Sequence, residues 1–401
     1  MRLRVEKRLF SALYSLVQMR VYPPYPIGAK EFRSVTILTF RHIYFTDSRK
    51  TIWRNCFAPG WITLPNTYIK KLDLLPNNGY DVRVDSKVVK RACGYLSKAV
   101  AHYLNGFPSK AYSSFKSAMN IFMDKPLKIY QKSAIEQFED RRNHHNTDDS
   151  LKLFRVTAVG DNKPYGRERV FHTPYNLRSK VSTNRYSIAG YPSLYLGTSL
   201  ELCCEETHIN PRQDFALASI FKLERTLEYS NTNIQVIELG VKPQDFLNNR
   251  RVNERFERRI ESSLLDSSNV RAAYMLWYPL IAACSYIRVN KNDPFAAEYI
   301  IPQLLMQWVR SEIGSQQDAE NEYDQLIGIR YFSCASNKAS DMGFNYVFPT
   351  SGKQKSSSLP YCSVLAKSFY LSKPVYVHEF EYLYECERYL RDLRDFAFID
   401  S

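Results

Sequence analysis

The chain of 401 residues carries 55 Lys and Arg against 41 Asp and Glu, a formal net charge of +14, and is 44 % apolar and 14 % aromatic. That composition supplies more than one buried core, and it excludes a disordered chain, a collagen, a coiled coil and a disulfide mini-protein. Eight cysteines lie scattered in apolar surroundings, without the spacing of a disulfide framework or a zinc knuckle, which points to reduced thiols and a cytoplasmic protein.

In chain order, Arg2, Arg4, Lys7 and Arg8 precede an apolar stretch over residues 9–19. Gln18 interrupts that stretch, no small-residue cleavage site follows, and Leu9, Leu13, Leu16 and Val17 recur at helical spacing, so a basic amphipathic helix is expected and not a signal peptide. Residues 35–45 and 51–64, rich in β-branched and aromatic side chains, predict a small hairpin. Val88, Val89, Ala92, Leu96, Ala99, Val100 and Tyr103 then mark one helical face, which Asn105 and Gly106 end. Pro108, Ala111, Phe115, Ala118 and Phe122 predict a second helix folded back on the first. The polar run over residues 140–149 has no apolar period and reads as a linker.

Residues 1–150 hold 25 Lys and Arg against 12 Asp and Glu, whereas residues 151–401 hold 30 against 29, so nearly all the excess charge is amino-terminal. The expected organisation is a basic domain at 1–145, a main domain at 150–375 and a helical tail at 376–401, with the main domain folding without the first. Such a basic module can bind nucleic acid through phosphates or dock an acidic protein.

Beyond the linker, strands are predicted at 193–196, 215–223, 235–239, 328–332 and 345–348, and helices at 253–265 and 302–312, an α+β pattern. The longest nearly uninterrupted apolar stretch, residues 274–284, is about half the roughly 20 residues that cross a bilayer, and Pro279 interrupts it. No membrane span is expected. No two glycines lie two positions apart, so a dinucleotide-binding Gly-x-Gly turn is absent, as are His-Glu-x-x-His and Gly-x-Ser-x-Gly. Cys203, Cys204 and His208 do not read as a metal site, because adjacent side chains diverge on any helix or strand. Neither metal nor cofactor is expected.

One ordered set of blocks carries information: Leu-Lys-Leu-Phe-Arg-Val from Leu151, Val-Phe-His-Thr-Pro from Val170, Asn184 to Ser199, Leu-Cys-Cys-Glu-Glu from Leu202, Gly-Ile-Arg-Tyr-Phe-Ser from Gly328 and Gly-Phe-Asn-Tyr-Val-Phe from Gly343. This set resembles the RES domain, a family named for its Arg, Glu and Ser whose known members degrade NAD and are often toxins of toxin–antitoxin pairs. The resemblance covers residues 151 to about 372. It implies an ADP-ribosyltransferase-like architecture in which Arg155 matches the opening aromatic-Arg pair, Arg185 the Arg before the Gly-x-Pro-x-Leu-Tyr-Leu strand, Tyr195 the tyrosine of that strand, Glu205 the family glutamate and Ser333 the family serine. Two departures stand out: Lys338 follows Ser333 at a distance, and about 120 residues separate Glu205 from Gly328.

The residue types also suit NAD cleavage on chemical grounds. A guanidinium meets phosphate oxygens through paired hydrogen bonds and stays charged when buried, a role open to Arg155 and Arg185. A carboxylate stabilises the oxocarbenium ion that forms as nicotinamide leaves; Glu205 is the candidate by register, with Glu206 as its neighbouring alternative. Tyr195 can stack on nicotinamide, the Ser333 hydroxyl can bond its amide or a ribose oxygen, and Tyr186 is a further pocket candidate. The expected activity is NAD glycohydrolysis, or phosphorolysis with inorganic phosphate as co-substrate. The alternatives are ADP-ribosyl transfer to a macromolecule and a non-catalytic module that senses NAD or ADP-ribose. NAD and a neutralising antitoxin or regulatory protein are the expected partners.

Overall fold

The computed structural model describes residues 84–126, 152–223, 232–242, 267–288, 294–317, 324–335, 342–350 and 360–399, together with residues 68, 69, 72, 128, 129 and 339. The expected amino-terminal helix, the hairpin at 35–64, the linker at 140–149 and the helix at 253–265 lie outside these residues. The described chain runs α1 (Ser86–Leu104), α2 (Pro108–Phe122), β1 (Lys128–Ile129), β2 (Lys152–Ala158), β3 (Ser193–Gly197), α3 (Leu200–Thr207), β4 (Ala216–Leu223) and β5 (Thr232–Leu239). It continues with α4 (Ser267–Cys284), α5 (Ile300–Gln317), β6 (Asp324–Phe332), β7 (Phe344–Pro349), α6 (Ser363–Ser368), β8 (Phe369–Ser372), β9 (Val375–Tyr376), α7 (Leu383–Asp392) and β10 (Phe396–Ala397).

Among the described residues these strands form one mixed sheet in the order β1-β5-β6-β7-β3-β2-β4-β8-β10, with β9 also paired to β4. Only β5 and β6 run parallel among the described pairs. A parallel pair needs a crossover, and the chain supplies it as α4 and α5. The five predicted strands and the helix at 302–312 correspond to β3, β4, β5, β6, β7 and α5, each within a few residues, and the fold class is α+β.

The helical hairpin follows the predicted boundaries. The Asp85 carboxylate accepts the Lys87 N–H at 2.8 Å at the start of α1, and Pro108 opens α2, where its missing N–H costs no hydrogen bond. The buried stripe of α1 and α2, including Leu96, Phe115 and Phe122, does not close on itself. It joins Trp277 of α4, Leu304 of α5 and Ile329 of β6 in one hydrophobic cluster. The Trp277 indole N–H donates to the carbonyls of Phe122 and Lys125 at 2.9 and 2.8 Å, which ties α4 to the chain leaving α2. Tyr112 of α2 bonds Ser311 of α5 at 2.7 Å, and β1 adds to the sheet beside β5. Residues on the two sides of the expected boundary at 145–150 therefore share a core. Against the expectation that the second part folds without the first stands this shared cluster, which removal of the hairpin would expose to water.

The expected helical tail is likewise woven into the sheet. Strand β9 pairs with β4 and β10 with β8, while α7 buries Cys386 and Leu390 beside Val156 and Ile220. Helix α4 contains the apolar 274–284 stretch and is buried along it; among the described residues no helix is long and apolar enough to cross a membrane.

On the other face of the sheet, His172 is fully buried. Its Nε2 accepts the Cys362 N–H at 2.9 Å, which leaves Nδ1 to donate to the Thr173 carbonyl at 2.8 Å and selects the neutral ring. Burial lowers its pKa to about 4, whereas the unfolded chain titrates near the ordinary value of 6.5. Below that value the unfolded state takes up a proton that the native state refuses, so stability is complete above pH 6.5 and falls as the pH drops toward 4. The expected loss across this window is about 3 kcal/mol. Urea unfolding of His172→Gln, which cannot charge, should show a shallower decline over the same window; an identical decline would assign the acid sensitivity elsewhere.

Candidate functional site

A cleft of about 610 Å³ opens over the middle of the sheet, a volume ordinary for a small-molecule site. Strands β2, β3, β6 and β7 contribute Arg155, Tyr195, Gly197, Tyr331 and Asn345. Helix α3 contributes Cys203 and Glu206, and the segment following α4 contributes Arg288.

Helix α3 follows β3 after two residues. The Ser199 hydroxyl accepts the Leu202 N–H at 3.2 Å and donates to the Met342 carbonyl at 3.0 Å, which caps the helix and ties its start to the chain leading into β7. From that start, the helical period places Cys203, Glu206 and Thr207 on the cleft side. Glu205 lies about 100° round the helix from Glu206 and does not line the cleft. The geometry thus moves the candidate carboxylate by one residue from the register-based expectation. Gly197 makes room for this helix, since a Cβ at that position would come within 2.7 Å of the Cys203 sulfur.

Glu206 is half-buried, and its Oε1 accepts the Asn345 amide Nδ2–H at 2.6 Å. Its negative charge reaches the phenols of Tyr195 and Tyr331, whose pKa values are raised first by burial and further by this carboxylate. The Tyr195 hydroxyl donates to the Tyr186 carbonyl at 2.5 Å, so its ring is held fixed against the cleft.

Arg155 is also half-buried, and one terminal nitrogen donates to the Tyr195 carbonyl at 3.3 Å. Its Nε is buried and makes no hydrogen bond. Burial lowers its pKa to about 10, which leaves it charged at neutral pH. A cation of this kind, with a donor unspent in a concave site, suits an anionic ligand. Arg155→Lys should weaken the binding of an anionic probe such as inorganic pyrophosphate on the order of tenfold, because an ammonium keeps the charge and loses the planar fork. Calorimetric titration checks this, and unchanged affinity with a lowered melting temperature would make Arg155 a structural residue.

Arg185 lines the cleft with one terminal nitrogen already committed. It donates to the carbonyls of Cys284 and Tyr286 at 3.1 and 2.8 Å, at the end of α4, and its guanidinium lies over the Tyr299 ring at 4.9 Å. Arg288 approaches the same ring at 5.5 Å. Arg185 therefore fastens the 183–185 loop to the crossover helices while presenting charge to the cleft. The two remaining candidates stand behind the wall. Tyr186 is 1 % exposed and packs on Tyr331 at 4.6 Å, and the buried Ser333 hydroxyl accepts the Ala335 N–H at 3.2 Å. Cys334 and Ala335, the next two residues, line the cleft where Ser333 does not.

Asn345, Tyr331, Arg288 and Tyr299 are thus additions to the sequence-based set, and Glu206, its alternative to Glu205, is the carboxylate that lines the cleft. Helical spacing from the apolar pair Leu202 and Cys203 contained the signal for Glu206, and an amide inside the apolar run Phe-Asn-Tyr-Val-Phe contained one for Asn345. Among the described residues no cluster of His, Cys, Asp and Glu is arranged to hold a metal ion.

The chain is 30 % identical over 318 residues to a Bacillus subtilis (strain 168) protein named "Putative toxin YopC". The match covers 77 % of this chain and 63 % of that protein, so the chain spans less than two thirds of the relative's length. No family model and no solved structure matches the chain.

Proposed function

We propose that the cleft takes NAD and that the chain breaks its nicotinamide–ribose bond. The observation that carries the reading is the presence in one cleft of the Arg155 guanidinium, which spends one terminal nitrogen on the Tyr195 carbonyl, and the Glu206 carboxylate held by Asn345. Arg155 pairs with the diphosphate. Glu206 accepts from a ribose hydroxyl and offsets the positive charge that develops at the ribose as the bond stretches. The rings of Tyr195 and Tyr331 offer the nicotinamide an apolar face. The glycosidic electron pair leaves with nicotinamide, and the oxygen of water or phosphate bonds the anomeric carbon, with a proton released from that acceptor. This reading agrees with the resemblance to RES domains, with its ADP-ribosyltransferase-like architecture, and with the toxin name of the relative.

Purified protein incubated with NAD, with and without phosphate, should release nicotinamide together with ADP-ribose or its phosphorylated form, identified by mass. Expression in bacteria should lower cellular NAD and slow growth. Intact NAD after prolonged incubation with folded, soluble protein would overturn the reading.

A further inference from the structure

Asn345 is 5 % exposed within the apolar strand β7. An amide in such a place destabilises the fold unless it is hydrogen-bonded, and here its Nδ2 spends a hydrogen on Glu206 at 2.6 Å. Strand register puts Asn345 opposite Gly197 on β3 and Tyr331 on β6, so it stands at the middle of the cleft floor beneath a position without a side chain. We infer that Asn345 is a positioning residue: its amide fixes one oxygen of the Glu206 carboxylate and leaves the other for the ribose of the substrate, so that Glu206 works ionised and in one orientation. The inference rests on the NAD reading for its substrate, but the Asn345–Glu206 pair stands on geometry alone.

The physical basis is that a donor to the charged form of a carboxylate favours that form, and a carboxylate bonded through one oxygen loses rotational freedom. Asn345→Asp puts this to a direct test, because a protonated aspartic acid has the shape of asparagine and donates an O–H in place of the N–H. Once both groups ionise, the donor is gone and two carboxylates face each other within hydrogen-bond reach. Such a pair shares one proton, and its second ionisation is pushed up in pH.

The ratio of N345D to wild-type turnover should therefore be within a few-fold of unity near pH 5 and fall on the order of 10²-fold by pH 8, the scale of losing one preorganised donor. N345L, which has no donor, should be impaired at every pH. The other charged and titratable groups facing Glu206 are the guanidiniums of Arg155, Arg185 and Arg288, the phenols of Tyr195, Tyr299 and Tyr331, the thiols of Cys203 and Cys334, and His208 at the end of α3. They are common to both proteins and cancel in the ratio. His208 stands at the end of the same helix, so the pair of measurements is repeated in a His208→Gln background and should give the same curve.

An active wild type with a pH-independent N345D ratio would overturn the inference. If wild-type protein leaves NAD intact, the NAD reading falls, and the pair is judged by melting temperature instead. The gap between wild type and N345D should then widen from pH 5 to 8 and close in a Glu206→Gln background; a constant gap would overturn it.

Discussion

Glu206→Gln is expected, on the proposed reading of the cleft, to lower NAD turnover on the order of 10²–10³-fold, the usual cost of removing one preorganised charge from a reacting centre. Glu205→Gln should leave turnover near wild type. The two residues are adjacent and both half-buried, so the contrast depends mainly on which way each points. Glu206 shares the cleft with Arg155 and is held by Asn345, whereas Glu205 is absent from the cleft lining. Glutamine keeps the shape of the side chain, and its melting temperature should move little. Affinity for NAD should change far less than turnover, since the charge is needed most as positive charge develops at the ribose. Steady-state kinetics of the two variants side by side check the assignment. The reverse pattern would return the role to Glu205.

The elements of this fold were legible where one periodicity dominated. Helices α1 and α2 and strands β3 to β7 stand within a few residues of their predicted positions because each has a clear apolar face or a clear apolar run. The domain boundary was not legible for a related reason. The charge asymmetry suggested an independent amino-terminal unit, but among the described residues such Lys and Arg as Lys90, Arg91 and Lys116 are exposed, and charge on that side says nothing about what the opposite apolar face packs against. Here that face meets Trp277 and the crossover helices. Arg155, Arg185 and Tyr195 line the cleft, but the choice between Glu205 and Glu206 required knowing that α3 begins at Leu200. Asn345 could be noticed as a polar intruder in a strand; its meaning came only from the register that sets it beside Gly197 and within reach of Glu206.

A second large effect is expected away from the cleft, at Arg330 and Glu238. These residues lie in the apolar strands β6 and β5, directly paired in the parallel register, and both side chains are wholly buried. The Arg330 Nη1 donates to both carboxylate oxygens at 3.0 and 3.1 Å, its Nε donates to the Tyr346 hydroxyl at 3.0 Å, and its guanidinium lies 3.6 Å from the centre of the Phe344 ring. Glu238 also accepts the Gly240 N–H at 2.6 Å. Removing either partner takes away the opposite charge that the buried one is bonded to, so Arg330→Met and Glu238→Gln should each cost about 3–5 kcal/mol, a large share of the stability of a typical domain. Replacing both together, Arg330→Met with Glu238→Leu, removes both charges at once and should cost less than the two single changes added. Urea unfolding of the three variants measures this directly. Additive losses would mean that the two charges do not stabilise each other across the parallel strands, and the pair would then lose its place as the polar clasp at the centre of the sheet.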